Sequence, residues 1–195
     1  MMNGLWLVAA AAAADLSALT PAALSAAICA ETNRVRAFNG VPALPVRPPV
    51  TAAAQLHADQ MVTHGFFGHT APEGAPYRLP VDRMLGAGID NPYPAENIAT
   101  WYALQYEGGG YRVISAERAI LRSEGRTLQA HTPESLAKGI VAYWMDSPPH
   151  RANMLSTRAT EVGCAATVFR DGAFPMVKGV QLFQHFEPTA TDGEG

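Results

Sequence analysis

Apolar side chains recur at helical spacing near the start of the chain. Leu24 and Ile28 are four residues apart, which places them on one face of a helix. Thr20 and Pro21 come before them, as a helix N-cap followed by proline at the first helical position. Gly40 can end such a helix in a left-handed conformation. The pattern therefore predicts a first helix between these two signals.

The same periodicity indicates further helices, separated by proline-rich connections. Residues 41–49 contain four prolines and predict an extended connector. His57 lies on the apolar face of the helix that follows, so we expect it to be a core histidine. The predicted helices run from Val50 to His64, from Pro80 to Leu85, from Ile114 to Ser123, and from Thr132 to Ser147.

Strand-like runs dominate the last part of the chain. Glu161–Phe169 and Met176–Phe186 are rich in apolar and β-branched residues, and Asp171-Gly172 between them is typical of a hairpin turn. Ala95–Ala99 predicts a short extended segment. Helices first and a terminal hairpin afterwards predict an α+β fold.

Composition narrows the class of protein. The chain has 195 residues, of which 48% are hydrophobic and 16% charged, so it can form one domain with a sizeable core. The formal net charge is −3, and no run of lysine or arginine is present. A nucleic-acid partner would require such a basic patch, so this class of partner is not expected.

Residues near the N-terminus suggest export. Leu5–Ala14 is an uncharged apolar run of ten residues, shorter than the roughly 20 that a membrane-spanning helix needs. It suits the core of a signal peptide, although no lysine or arginine precedes it, and an Ala-rich first helix is the alternative. No other segment is typical of a transmembrane span. We expect an extracellular or periplasmic protein.

Cysteine usage leaves two interpretations open. Cys29 and Cys164 are the two cysteines of the chain, and neither belongs to a C-x-x-C pair. A cysteine zinc knuckle is therefore excluded. The two residues form either one disulfide, which export would favour, or two buried free thiols.

Four segments, in chain order, carry motifs of a known family. They are residues 33–44 (N-x-x-R-x-x-x-G-x-x-x-L), 54–69 (ending in GFFGH), 95–99 (AENIA) and 144–165 (containing WMDSPPHRANML and EVGCA). Together they resemble the CAP family of cysteine-rich secretory, antigen-5 and pathogenesis-related-1 proteins, also called SCP-like, in its bacterial form. The resemblance extends from about residue 28 to residue 186 and leaves 100–132 unmatched.

The resemblance implies a fold and a site. The fold is a three-layer α/β/α sandwich with a central, mainly antiparallel sheet, and the site is a surface cleft lined by His69, Glu96 and His150. Two imidazoles and a carboxylate are a known ligand set for Zn²⁺ or another divalent cation, with the fourth position left to water. Glu96 is also the candidate general base if that water is activated.

Other residues near these motifs are expected to support the cleft. Many family members have a second glutamate where this chain has Ser147, so the full His-Glu-Glu-His set is not present. Ser147 followed by proline is typical of a helix N-cap. Arg151 either binds a carboxylate in the cleft or pairs with a structural acid. The supporting residues are Asn97, Asp146, Ser147, Arg151 and Asn153.

Three functions are compatible with these residues. The first is an extracellular, non-enzymatic module whose cleft binds a metal, a small molecule, a lipid or a protein. The second is a metal-dependent peptidase or esterase that uses His69, His150 and Glu96, and the third is a structural or interaction domain with a silent cleft. The expected organisation is a signal peptide or Ala-rich segment (1–19), a CAP domain (20–188) with an insertion at 100–132, and a tail (189–195).

Overall fold

A computed structural model describes residues 15–115, 118–121, 127–172 and 174–185. The signal-peptide prediction for Leu5–Ala14 and the predicted tail therefore lie outside the described residues. The helices are α1 (Pro21–Phe38), α2 (Pro48–Thr63), α3 (Pro80–Gly86), α4 (Pro133–Asp146) and α5 (Pro148–Met154). The strands are β1 (Pro94–Tyr102), β2 (Tyr111–Ser115), β3 (Arg118–Leu121), β4 (Glu161–Asp171) and β5 (Phe174–Gln184).

Helix starts follow local capping signals. The Thr20 hydroxyl accepts a hydrogen bond from the backbone N–H of Ala23, and the Thr132 hydroxyl does the same for Ser135. Helix α2 begins at Pro48, two residues before the predicted start. Proline is tolerated in a first helical turn because the N–H it lacks would have no intrahelical acceptor there.

The predicted helix over Ile114–Ser123 is wrong. Strands β2 and β3 pair as an antiparallel hairpin across this part of the chain. The sequence YRVIS at β2 is rich in aromatic and β-branched residues, which favour strands, and this preference outweighs the helical spacing.

The main sheet has three antiparallel strands in the order β1-β5-β4. Glu96 pairs with Leu182 near one end of β5, and Tyr102 pairs with Met176 near the other. The structure thus combines helices with a small antiparallel sheet, and the predicted α+β class is confirmed.

Helices cover both faces of this sheet. Alternate residues of a strand point to opposite faces. Cys164 and Phe183 therefore lie in one core cluster with residues of α1 and α4, including Trp144. Ala165 and Leu182 lie in a second cluster with residues of α2 and α3. Glu96 and Thr100 share this second face with Ile98, which positions the site beneath α2 and α3.

Two close contacts tie the helices to β4. A Cβ atom at Gly163 would collide with the backbone of Val50 and Thr51, so glycine allows α2 to lie directly on the strand. On the other face, Cys29 of α1 and Cys164 of β4 are joined by a disulfide with a Cα–Cα distance of 5.6 Å. The sequence left a disulfide and two free thiols as alternatives, and the structure contains the disulfide.

Candidate functional site

Glu96 is the centre of the site. Its side chain is only 2% exposed, although it carries a charge when ionised. Oε2 accepts a hydrogen bond from the Arg83 guanidinium at 2.7 Å, and Oε1 accepts one from His69 Nδ1 at 2.8 Å. A buried carboxylate needs such partners because it has lost its hydration, and here both oxygens have one.

Arg83 is the residue that sequence reasoning missed. Its side chain is fully buried, and α3 places it directly beside Glu96. The guanidinium also donates to the backbone carbonyls of Arg78 and His69, at 2.9 and 3.2 Å. Arg83 therefore fixes both the carboxylate and the loop that carries His69. In the sequence, nothing distinguishes it from a surface arginine.

His57 lies under the same carboxylate. The residue is fully buried, as predicted for a core histidine. Its Nε2 lies 2.9 Å from the carbonyl oxygen of Gly68 and 3.6 Å from Glu96 Oε1. Because a carbonyl oxygen only accepts, Nε2 carries the proton. Burial is the main cause that lowers the pKa of His57, and it outweighs the opposing effect of the Glu96 charge.

A chain of amides connects β1 to the segment that carries His150. The Asn97 amide donates to the backbone carbonyl of His150 at 3.1 Å and to Gln181 Oε1 at 3.0 Å. Asn153 in turn donates to Asn97 Oδ1 at 2.8 Å. The predicted supporting residues Asn97 and Asn153 thus hold α5 against the sheet, next to Glu96. Tyr143 lies beside the His150 ring, with 6.3 Å between the ring centroids.

Electrostatics couple His69 and His150. The hydrogen bond to Glu96 raises the pKa of His69. Burial lowers the pKa of His150, and the positive charge of His69 lowers it further. A charge acts on a neighbour in this way only over a short distance, so His69 and His150 lie near each other.

Other predicted supporting residues do not contact this cluster. Asp146 is exposed, and within the described residues no hydrogen bond or ion pair links it to Glu96 or His69. Ser147 ends α4 and occupies the N-cap position of α5, but its side chain makes no capping hydrogen bond. Arg151 donates to the carbonyl of Met145 instead of a carboxylate.

The side chains of His69, Glu96 and His150 meet the requirements of a metal site only in part. Across the described ranges, no three His, Cys, Asp or Glu side chains are arranged to hold a metal ion. Both Glu96 oxygens are already hydrogen-bonded, so its carboxylate acts as an orienting group for His69. His69 Nδ1 carries the proton donated to Glu96, which leaves the Nε2 lone pair of the neutral ring available. His150 Nδ1 is buried and has no hydrogen-bond partner among the described protein atoms.

Acidification should destabilise the fold through His57. Its folded pKa lies below the ordinary value of about 6.5, so the unfolded chain takes up a proton first as the pH falls. The stability that neutral His57 contributes is therefore complete above about pH 6.5 and is lost as the pH falls towards its folded pKa. His69 acts in the opposite sense, because its pKa is raised and its contribution is lost as the pH rises.

Urea unfolding between about pH 8 and about pH 5 measures this effect. We expect the midpoint of His57→Gln to fall less on acidification than that of the wild type, since glutamine can donate to Gly68 but does not titrate. If the urea midpoints of the wild type and of His57→Gln fall equally on acidification, the loss of stability comes from groups other than His57.

An antiparallel sheet covered by helices on both faces, with a buried glutamate that orients a half-exposed histidine, defines an α+β module. The chain belongs to the CAP family, described as the cysteine-rich secretory protein family, whose sequence profile matches residues 29–183. The resemblance inferred from the four motif segments is therefore confirmed.

Solved structures show the same fold. An extracellular protein containing an SCP domain, from Bacillus anthracis, has a TM-score of 0.57 at 18% sequence identity. The match covers 85% of this chain but only 41% of the Bacillus protein. An outer surface protein of Borrelia burgdorferi has a TM-score of 0.53 at 14% identity, covering 82% of this chain and 90% of the other. Comparison with curated proteins gives no match.

In the part of the chain that the structure describes, no helix combines the length and the apolar character needed to cross a bilayer.

Proposed function

We propose that this chain is an exported CAP module whose cleft binds a divalent cation, such as Zn²⁺, through the imidazoles of His69 and His150. Water would complete the coordination, and the module would act by binding and not by hydrolysis. The single observation that carries the proposal is the contact between His69 Nδ1 and Glu96. It fixes the ring and its tautomer, as carboxylates commonly do for metal-binding histidines.

The exposure of His69 and the position of His150 support this assignment. The His69 side chain is 52% exposed, so its Nε2 is accessible to a cation from solvent. Asn97 donates to the His150 backbone carbonyl, and the charge of His69 acts on His150, which supports a shared site for the two histidines. With two protein ligands, we expect weaker binding than at a structural site with four.

A hydrolase receives less support from the same geometry. A general base must be free to take a proton from water or substrate. The Glu96 carboxylate is buried and accepts hydrogen bonds from Arg83 and His69 on its two oxygens. Breaking one of these contacts would be required before Glu96 could act in that way.

Zinc titration of purified variants tests the proposal. We expect His69→Ala and His150→Ala each to weaken Zn²⁺ binding about ten-fold or more, since each removes one of two protein ligands. Glu96→Gln should weaken binding by about 10- to 100-fold, as loss of an orienting partner does. His64→Ala is the matched control, because His64 is exposed at the end of α2 and lies outside the site.

Calorimetry of these four single variants, of a His69→Ala, His150→Ala double variant and of the wild type measures the Zn²⁺ affinities. Zn²⁺ affinity unchanged in a His69→Ala, His150→Ala double variant would end the proposal. Peptidase or esterase turnover that requires Zn²⁺ and disappears in Glu96→Gln would replace it with the hydrolase.

Export is supported by the disulfide and by the relatives. Disulfides persist in oxidising compartments such as the periplasm and the extracellular space. The Bacillus and Borrelia proteins are described as extracellular and as an outer surface protein, respectively. Cell fractionation, with N-terminal sequencing of the exported form, tests this part. A mature N-terminus near Asp15 is expected, and retention of the full chain in the cytoplasm would contradict export.

A further inference from the structure

Lys178 is a basic residue that the proposed cation site does not use. It lies on β5, on the sheet face covered by α2, and is only 9% exposed. In the antiparallel register it stands between Thr100 of β1 and Thr167 of β4. A lysine enclosed to this degree is uncommon without a carboxylate partner. Among the described residues, no carboxylate forms an ion pair with it.

One hydroxyl group and two aromatic rings surround its ammonium group. Nζ donates to the Thr100 hydroxyl at 2.9 Å. It also lies over two aromatic rings, 4.8 Å from the ring centroid of Phe67 and 5.0 Å from that of Phe169. These rings stabilise the cation through their faces but supply no strong hydrogen-bond acceptor. An ammonium group has three N–H donors, so the single hydroxyl acceptor leaves capacity for a ligand.

A cavity of about 410 Å³ opens next to this group. Met61, Val62 and Phe66 form apolar walls, and Phe67, half exposed, lies at the entrance. The volume lies within the range of small-molecule pockets, in which apolar walls enclose a few polar groups that fix orientation. The charged side chains that line it are Lys178, Arg170 and Asp171, two cations and one anion.

The geometry points to a second ligand site, in which this cavity binds a small monocarboxylate with an apolar body, its carboxylate on Lys178 Nζ and its body against Phe66 and Phe67. A carboxylate supplies the acceptors that Nζ lacks, and its charge is opposite to that of the Lys178 ammonium group. The apolar body matches the walls. Burial lowers the pKa of Lys178, and the charge of Asp171 opposes this effect without outweighing it.

Phosphate is a poorer match to the same chemistry. It has no apolar part to replace water along the walls. The site is also separate from the proposed cation site, because Thr100 lies four residues along β1 from Glu96, or about 13 Å in an extended strand.

Titration with benzoate, followed by protein NMR, tests the inference. Benzoate is expected to bind and to shift signals of residues that line the cavity. Benzyl alcohol, which has the same ring without the charge, should bind about ten-fold more weakly or worse, because it forms no charge-assisted hydrogen bond. Acetate and inorganic phosphate should bind more weakly than benzoate.

Two variants assign the binding to named groups. Lys178→Met keeps the length of the side chain and should weaken benzoate binding about ten-fold or more. Phe67→Ala, at a half-exposed position where folding is not at risk, should also weaken it. Lys138→Met is the matched control on an exposed lysine of α4 and should leave benzoate binding unchanged.

No benzoate binding by the wild-type protein would overturn the inference. So would benzyl alcohol binding as tightly as benzoate, or Lys178→Met and Lys138→Met binding benzoate equally well.

Discussion

Replacing Arg83 with methionine is expected to lower the free energy of unfolding by about 3 to 5 kcal/mol. Both partners of the Arg83–Glu96 ion pair are buried, with side-chain exposures of 0% and 2%. Removing the guanidinium would leave a buried carboxylate whose remaining side-chain hydrogen bond is with His69. It would also remove the hydrogen bonds to the carbonyls of Arg78 and His69, which order the loop before α3.

Urea unfolding of Arg83→Met, compared with the wild type, measures this loss of stability, and two further variants serve as controls. Arg158→Met, at an exposed position, is the matched control and should change stability by no more than about 0.5 kcal/mol. The double variant Arg83→Met, Glu96→Gln should be more stable than Arg83→Met alone, because it removes the uncompensated charge. If Arg83→Met costs no more than Arg158→Met, the ion pair does not hold this site together.

The sequence could predict those helices and strands whose ends are marked by residues close by in the chain. Thr20, Pro21 and Gly40 identified the ends of α1, because capping and left-handed glycine depend on neighbours a few residues away. The hairpin of β4 and β5 was evident from its turn. The start of α2 and the β2–β3 hairpin were missed, since proline in a first turn and mixed periodicity each permit two interpretations.

The same distinction applies to the candidate site: residues in sequence motifs could be predicted, and contacts between distant elements could not. The family motifs identified His69 and Glu96, and the structure brings them into contact at 2.8 Å. The motifs could not show that Arg83 donates a hydrogen bond to the other oxygen of the Glu96 carboxylate, since that contact depends on how α3 packs on β1. Lys178 was missed for the same reason, because its aromatic neighbours come from a loop and from a neighbouring strand.

Loss of the Cys29–Cys164 disulfide is expected to lower the free energy of unfolding by about 4 to 5 kcal/mol. The bond closes a loop with a sequence separation of 135 residues, and so it restricts the unfolded chain more than a short loop would. It also connects α1 with β4, so the loop it closes contains most of the fold.

Alanine substitutions at the two cysteines test this by urea unfolding. Cys164→Ala alone and the double variant should lose nearly equal stability, because either removes the bond. Dithiothreitol should lower the unfolding midpoint of the wild type to that of the double variant and leave the variant unchanged. Equal midpoints for the oxidised wild type and the double variant would show that the bond adds no stability. The expected result would make full stability available only in an oxidising compartment, which links the fold to the proposed export.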